Sequence, residues 1–316
     1  MLDLPNITEI REAAERLRQV VVRTPLVPLH RFDTRRDILL KPEIHQAVTS
    51  FKIRGVFNAV ACLSLEERAK GLSTVSAGNT AQALAWVGRY FGVSARSLMP
   101  DRAPATKIDA VKQYGGEPVL VPIAEIFRFL KERAWEQQPF AFIHPWTNRN
   151  VMIGHGTIGL EIIADLPEVS SVYVPVGGGG LIGGVGSAIK ALKPSVRVVA
   201  VEPEGCPALH ESFRQGKPAT VECHTMCDGV AVPYITDEVF PILREVVDDV
   251  VLVSESAVKR VIKRLALRNR MIVEGAGALS VAAAIDAPQE DRGRTVCVVT
   301  GGSIDTDSLL GILGDP

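Results

Sequence analysis

The sequence predicts an α/β protein made of two open, twisted parallel sheets with helices on both faces. Its 316 residues correspond to two domains of ~100–200 residues each and can bury a large apolar core. Apolar residues make up 47% and charged residues 22% of the chain, the mixture of an ordinary globular protein. Short β-branched runs alternate with amphipathic stretches, which is the pattern of parallel sheets flanked by helices.

The individual elements follow from the spacing of apolar residues. Residues 7–20 carry apolar side chains every three to four positions, which predicts a helix. Residues 24–29 contain two prolines and are predicted to be extended. Further strands are predicted at 38–40, 73–75, 97–99, 118–121, 172–176, 197–201, 250–253 and 295–299, and further helices at 55–62, 80–91, 105–114, 181–192 and 255–269.

Two clusters of strand–helix units predict two domains. The first covers residues 70–142, and the second combines residues 1–69 with 143–316; a turn-rich segment at 144–148 marks the junction. No fixed-period repeat interrupts the alternation, which excludes a solenoid. Ligands of open α/β sheets bind beyond the carboxyl ends of the strands, so we expect the chemistry in the loops that follow strands.

Charge and cysteine content exclude several function classes. The 35 Lys and Arg against 36 Asp and Glu give a formal net charge of −1, so no nucleic-acid or membrane partner is expected. The N-terminus carries Asp3 and Glu9 and no apolar run, so no secretory signal is expected. Five cysteines, an odd number, favour a reducing compartment over a disulfide framework. These features predict a soluble cytoplasmic protein.

Four consecutive glycines, 177–180, follow the predicted strand 172–176 and precede a predicted helix. Glycines let backbone N–H groups converge on one point, and a helix N-terminus adds unpaired N–H groups, so the loop predicts a phosphate site. The same loop contains G-x-G-x-x-G at Gly178, Gly180 and Gly183, with Glu202 nineteen residues beyond. A nicotinamide-dependent dehydrogenase therefore stays open as an alternative.

Lys52 follows Phe51 and lies near the start of the helix predicted at 55–62, two positions before Arg54. The helix N-terminus and the neighbouring cation favour loss of its proton. A neutral amine is what Schiff-base chemistry requires. Most lysines in proteins are solvated, so the position of Lys52 does not by itself indicate a catalytic role.

The string S-F-K-I-R-G at 50–55 resembles the pyridoxal-phosphate lysine motif of the fold-type II enzymes, the family of threonine and serine dehydratases and serine racemase. This resemblance implies a fold similar to that of the tryptophan synthase β subunit, with pyridoxal 5'-phosphate as cofactor. It covers nearly the whole chain. Further segments resemble the family's motifs in the same order, at 23–26, 76–82, 175–181, 201–203, 228–230, 274–278 and 300–305.

The resemblance implies roles for individual residues. Lys52 would carry the cofactor on its side-chain nitrogen and transfer the substrate proton, and Ser76 is the second catalytic candidate. Phe51 would pack against the pyridine ring and Asn79 would hydrogen-bond its hydroxyl group. The remaining cofactor contacts would come from Gly177, Gly178, Gly179, Gly180, Leu181, Glu274 and Thr300. The substrate carboxylate would be bound by Ser76, Ala77, Gly78, Asn79 and Thr80.

Four positions differ from the family pattern, and they bear on which reaction and which substrate are expected. Ala77 stands where the racemases have a second serine, and alanine cannot transfer a proton to the opposite face of Cα. Thr80 replaces the usual histidine and is smaller and never cationic. A bulkier β-hydroxy amino acid or 3-hydroxyaspartate is therefore a further possible substrate. Ser303 replaces an asparagine, without a consequence we can derive. Ala208 stands where several members have an acid, so no metal site is expected at Glu202.

Other candidate residues are expected to be structural. The segment Cys223-His224-Thr225-Met226-Cys227 lacks the second ligand pair of a zinc site. His144 and His155 are expected to support the domain junction. Lys107 and Lys112 are expected to form a solvated helix face.

The combined prediction is a pyridoxal-phosphate-dependent ammonia-lyase, a homodimer, that converts a β-hydroxy amino acid into a 2-oxo acid and ammonia. Threonine and serine are the default substrates by resemblance. A racemase, a 3-hydroxyaspartate dehydratase, a nicotinamide enzyme and a non-catalytic amino-acid-binding or regulatory relative are the alternatives. Residues 70–142 are expected to close over the substrate. Since the chain ends soon after its last motif, no C-terminal regulatory domain is expected.

Overall fold

A computed structural model describes residues 2–29 and 37–315; residue 1, residues 30–36 and residue 316 lie outside the described part. Ten strands form two sheets in this part of the chain. In chain order the strands are β1 (Val27–Pro28), β2 (Ile38–Pro42), β3 (Leu72–Val75), β4 (Ala95–Pro100), β5 (Glu117–Val121), β6 (Ala141–Phe142), β7 (Ser171–Pro175), β8 (Arg197–Pro203), β9 (Asp249–Val253) and β10 (Thr295–Val299).

The larger sheet has the strand order β1-β2-β10-β7-β8-β9. All its neighbours are parallel except β1, which pairs antiparallel with β2 through Val27 and Leu40. The smaller sheet has the order β5-β4-β3-β6 and is parallel throughout. The predicted fold class of two parallel sheets is therefore confirmed, with one antiparallel edge strand added.

Fourteen α-helices flank the sheets in the described part of the chain. They are α1 (Ile7–Leu17), α2 (Lys52–Ala61), α3 (Leu65–Ala69), α4 (Asn79–Phe91), α5 (Ala105–Gln113), α6 (Ile123–Lys131), α7 (Arg149–Asp165), α8 (Gly180–Leu192), α9 (Ala208–Gln215), α10 (Phe240–Val246), α11 (Glu255–Arg264), α12 (Gly275–Asp286), α13 (Gln289–Arg292) and α14 (Thr306–Gly314).

Helix α7 lies between α2 and α8 and packs closely against both because glycines face its neighbours. A Cβ on Gly154 would lie 2.4 Å from the Arg54 carbonyl oxygen of α2. A Cβ on Gly184 of α8 would lie 2.1 Å from the Met152 carbonyl oxygen. Backbones that approach this closely leave no room for a side chain, so these glycines set the position of α2 and α8.

A buried ionic cluster ties β2, α2 and α7 together. The fully buried Arg54 guanidinium donates to both Glu43 oxygens at 2.7 and 2.9 Å, and to both Glu161 oxygens at 2.7 and 3.0 Å. Lys41 donates to Glu161 and to the Thr24 carbonyl oxygen, each at 2.5 Å. Buried charges of this kind are tolerated only when they are paired.

Several features were not predicted from the sequence. Helices α3, α6, α7, α9, α10, α12, α13 and α14 had no assignment, and the short strand β6 was missed. Cys206 and Cys223 form a disulfide, which the cysteine count did not predict. The two cysteines lie 17 positions apart in the sequence. They meet because His224 returns to the loop after β8 and its backbone N–H donates to the Gly205 carbonyl oxygen at 2.7 Å.

Candidate active site

A cavity of about 270 Å³ opens at the carboxyl ends of strands from both sheets. Its walls come from the loop after β3, the glycine loop after β7, the segment after β10 and the start of α2. These positions agree with the general rule for open parallel sheets. The structure brings every site residue proposed from the sequence to this cavity: Phe51, Lys52, Ser76, Ala77, Gly78, Asn79, Thr80, Gly177, Gly178, Gly179, Gly180, Leu181, Glu274 and Thr300.

The glycine loop is shaped by its neighbours. Gly179 has φ of +87°, a conformation that disfavours any other residue. A Cβ on Gly178 would lie 2.4 Å from Cγ of Trp146. Helix α8 begins at Gly180, so its first N–H groups lie next to the loop. The loop therefore offers an anion a set of backbone donors at the positive end of a helix.

Lys52 is the first residue of α2 and reaches the cavity beside Phe51, with Nζ 5.0 Å from the Phe51 ring centre. Burial lowers the pKa of the Lys52 ammonium to about 8, although the Glu274 carboxylate opposes the shift. From the sequence, this effect was expected from the helix N-terminus and from Arg54. Burial is the main cause instead, and the Arg54 charge is paired with Glu43 and Glu161.

Glu274 and Asn79 connect the two sheets across the cavity. The Asn79 side-chain amide donates to Glu274 Oε1 at 2.8 Å. Burial, together with the negative charge of Asp228, raises the pKa of Glu274 to about 7. Glu274 is therefore a carboxyl group that can change its protonation state near neutral pH.

Three buried polar atoms at the cavity lack a hydrogen-bond partner among the described residues: Asn79 Oδ1, Thr300 Oγ1 and Trp146 Nε1. Buried polar atoms without partners are uncommon in proteins and indicate a missing ligand or water. Together with Lys52 and the glycine loop, they fit a phosphate-bearing aromatic cofactor with polar ring substituents. The residues present therefore suit the group that the family resemblance implies.

Several residues that line the cavity were not predicted as site residues from the sequence, among them Lys107 and Trp146. Lys107 was expected on a solvated face, but it lines the cavity and forms an ion pair with Asp228; Lys112 is exposed as expected. Trp146 comes from the turn before α7 and forms part of the cavity wall. Neither position carries a local motif, because each becomes part of the site only when distant segments pack together.

The remaining candidates have structural contacts. Both Glu202 oxygens accept hydrogen bonds, from the backbone N–H groups of Leu209 at 2.7 Å and His210 at 2.8 Å in α9. This carboxylate is thus unavailable to a nucleotide ribose. His144 Nδ1 accepts from the backbone N–H of Thr147 at 3.2 Å, and His155 is fully buried against Phe51 with ring centres 4.7 Å apart.

Comparisons with known proteins agree with this geometry. The family model described as "Pyridoxal-phosphate dependent enzyme" matches residues 17–301. An L-threonine ammonia-lyase from Geobacter sulfurreducens is 40% identical over 311 residues, which cover 96% of this chain and 76% of that protein. Among the helices of the described residues, none is both long and apolar enough to cross a membrane.

Solved structures show the same relationship. Maize serine racemase superposes with a TM-score of 0.90 at 32% identity, covering 98% of this chain and 97% of that one. A threonine deaminase from T.th. has a TM-score of 0.87 at 34% identity, covering 95% of this chain and 99% of that one. The glycine loop, the buried lysine and these matches over almost the whole chain lead to one conclusion: this chain belongs to the family of pyridoxal-phosphate-dependent enzymes.

Proposed function

We propose that this protein is an ammonia-lyase that converts a β-hydroxy amino acid into a 2-oxo acid and ammonia. The proposal depends on one observation: Lys52, the glycine loop and the 76–80 loop all line the same cavity. The threonine ammonia-lyase and threonine deaminase among the relatives support the reaction class.

Pyridoxal phosphate, when bound, supplies an aldehyde that condenses with amines and a ring that accepts electron density from the substrate Cα. Lys52 would hold it, the glycine loop would bind its phosphate, and Phe51 would pack against its ring. Thr300 would offer the ring nitrogen a neutral hydroxyl. A neutral partner leaves the ring a weak electron sink, which favours elimination, where a leaving group removes the charge.

The 76–80 loop would bind the substrate carboxylate. Helix α4 begins at Asn79, so the N–H groups of its first turn lack partners within the helix and can bind an anion. Ser76 Oγ already accepts the Gly78 N–H at 3.1 Å, which orders the loop. Ser76 would contribute its hydroxyl to the substrate as the second catalytic candidate.

Lys52 acts as the base in this scheme. With its pKa near 8, an appreciable fraction of the amine is neutral at physiological pH, as proton removal from Cα requires. The β-hydroxyl takes up a proton, which balances the one that Lys52 removes from Cα, and leaves as water. The released enamine then takes up water to give the 2-oxo acid and ammonia. Ala77 has no proton to exchange on the opposite face of Cα, which favours elimination over racemisation.

Substrate turnover by holoenzyme tests the proposal. Purified protein loaded with pyridoxal phosphate is assayed with serine, threonine and other β-hydroxy amino acids for 2-oxo acid release. Wild type is expected to turn over at least one of them, and Lys52→Ala is expected to lose at least ~10³-fold in kcat. A cofactor-loaded protein that releases no 2-oxo acid from any of these substrates contradicts the proposal.

The racemase alternative is tested by a chiral readout. Wild type is expected to produce no D-amino acid from the L-substrate while it releases 2-oxo acid. Ala77→Ser restores a hydroxyl at the position where the racemases have one and provides the matched comparison. D-amino acid formation by wild type would assign racemisation to this site.

We further propose a division into two domains, with residues 70–142 closing over the substrate against residues 1–69 and 143–316. The smaller sheet is built from strands within 70–142, which supports this division. Closure would exclude water from the reaction. Small-angle scattering with and without a slowly reacting amino acid tests it, since a compaction is expected on binding.

We also propose a cytoplasmic homodimer that binds no nucleic acid. Closed homo-oligomers are common among soluble proteins, and the near-zero net charge argues against polyanion partners. In a reducing compartment the Cys206–Cys223 disulfide would be open. Light scattering of the purified protein and rapid alkylation of both thiols in fresh lysate test these two points.

A further inference from the structure

A second cavity, of about 170 Å³, borders the active-site cavity and has mostly apolar walls. We infer that it receives the β-substituent of the substrate, and that the preferred substrates are β-hydroxy amino acids with an aromatic or branched aliphatic side chain. This inference rests on the proposed ammonia-lyase function and specifies its substrate class.

The position of the second cavity supports this assignment. Val75, Ser76, Ala77, Trp146 and Val232 line both cavities, so the two spaces meet at the loop that would bind the substrate carboxylate. At this border Ala77 contributes only a methyl group. We take this small residue as the point at which the side chain of a substrate held at the 76–80 loop would enter the second cavity.

The chemistry of the walls indicates an apolar occupant. Leu98 of β4 and Ile126, Phe127 and Leu130 of α6 form one side, and Pro233 lies on the other. None of these side chains carries a charge or a hydrogen-bonding group, and the polar groups of the lining are Ser76, the Trp146 indole and Tyr234. A carboxylate substituent would find no cation in this lining, whereas an apolar substituent would be partly removed from water, since Ile123 and Phe127 keep the cavity open to solvent on one side.

The size of the second cavity also suits a ring or a branched chain. An apolar protein cavity of about 150 Å³ is known to hold one benzene molecule, and this cavity is slightly larger. The methyl group of threonine would leave most of it unfilled. Since one methylene group in an apolar pocket changes specificity by ~10–200-fold, a phenyl group is expected to raise kcat/KM at least ~10-fold.

The experiment compares threo-3-phenylserine and 3-hydroxyleucine with threonine and serine on the holoenzyme. It also measures binding of L-phenylalanine and L-alanine by calorimetry, since neither carries a β-hydroxyl leaving group. We expect kcat/KM for phenylserine to exceed that for threonine at least ~10-fold, and L-phenylalanine to bind at least ~10-fold more tightly than L-alanine.

A matched pair of variants locates the effect. Leu98→Trp fills the second cavity and is expected to reduce both the phenylserine-to-threonine ratio and the phenylalanine-to-alanine affinity ratio at least ~10-fold. Leu120→Trp places the same side chain on the neighbouring strand β5, at an exposed position that does not line the cavity. It is expected to leave both ratios unchanged.

The outcomes separate this inference from the proposed function. Preferred turnover of threonine or serine, with no tighter binding of L-phenylalanine, overturns the inference and leaves the ammonia-lyase standing. Tight L-phenylalanine binding that Leu98→Trp removes, without turnover of any substrate, supports the side-chain cavity and overturns the ammonia-lyase. L-phenylalanine that binds together with L-alanine, without competition, shows a separate effector site and overturns the inference.

Discussion

At the scale of single residues, the position of Lys52 decides its chemistry. A lysine on a helix surface stays protonated, whereas this one begins α2 inside a cavity, and burial brings its pKa to about 8. The nearby Glu274 carboxylate acts in the opposite direction, since a negative charge stabilises the ammonium form. The two residues are therefore coupled in their protonation.

Burial and the nearby Glu274 carboxylate together predict the pKa of Lys52 in protein from which the cofactor has been removed. Competitive amine labelling resolved by peptide is expected to give a pKa of about 8 for Lys52, against ~10.4 in the urea-unfolded chain. Glu274→Gln is expected to lower that pKa further. Because the folded pKa lies below the unfolded one, Lys52 makes the free energy of unfolding rise between pH 8 and ~10. Labelling at the ordinary lysine pKa would contradict this prediction.

Arg54 illustrates a buried charge whose role is to hold elements together. Burial opposes its charge, but Glu43 and Glu161 keep the pKa of Arg54 above its ordinary value. Arg54→Met would leave the buried Glu43 without an ion-pair partner and Glu161 with Lys41 alone, which is expected to lower the free energy of unfolding by ~3–5 kcal/mol. Urea unfolding measures the loss.

The control for Arg54 is an ion pair of similar length at the surface. Arg18 and Glu15 lie 2.6 Å apart with side chains that are 72% and 64% exposed. Arg18→Met is expected to change the free energy of unfolding by less than ~1 kcal/mol. Equal effects of both substitutions would show that burial does not govern the Arg54 cluster.

At the scale of elements, the glycine loop depends on what packs against it. Four glycines allow a tight turn, and the indole of Trp146 occupies the space that a side chain at Gly178 would need. The strand β7 and the helix α8 then place the loop at the cavity. The phosphate site is thus a product of three elements.

Gly178→Ala tests this dependence. Its Cβ would lie 2.4 Å from a ring atom of Trp146, so the loop or the indole must move. We expect pyridoxal phosphate affinity to fall at least ~10-fold in an absorbance titration, since misplaced donors lose their hydrogen bonds to the phosphate. Gly311→Ala in α14 meets nothing within 4 Å and is expected to leave the affinity unchanged. Normal affinity of Gly178→Ala would show that the indole does not shape the loop.

At the scale of the whole molecule, an ion pair at the cavity joins the part of the chain that holds the smaller sheet to the part that holds the larger sheet. Lys107 lies on α5, which packs beside the smaller sheet, and Asp228 lies in the segment between α9 and α10 of the part that holds the larger sheet. The Lys107 side chain is 21% exposed and the Asp228 side chain is 50% exposed, so the pair is partly screened by solvent. It joins two parts of the chain that we propose to move relative to each other.

Removing this ion pair is expected to weaken domain closure over the substrate more than it slows the chemical step. Lys107→Met should raise KM by ~2–10-fold with a smaller change in kcat, because partly exposed pairs contribute about 1 kcal/mol. Lys112→Met on the same helix, whose side chain is 59% exposed, is the control and should change neither constant. A large fall in kcat at constant KM would assign Lys107 to the chemical step.

Much of the fold and the candidate site could be predicted because the signals are local. Strand β10 was assigned with its observed bounds, and the loops after β3 and β7 carry motifs that can be read in a few residues. Helices α7 and α12 gave no amphipathic signal because they are buried on nearly all sides. Lys107 was misplaced because its partner Asp228 is 121 residues away.

The amino-acid sequence alone determined the alternation of strands and helices, the glycine loop and the motif around Lys52. Each of these depends only on residue type and short-range spacing. Only the tertiary structure decided why the Lys52 pKa falls, which side chains border the cavity and that Cys206 meets Cys223. Burial and long-range packing control these features. Both arise when distant segments exclude water from a shared space, and no short stretch of sequence contains that information.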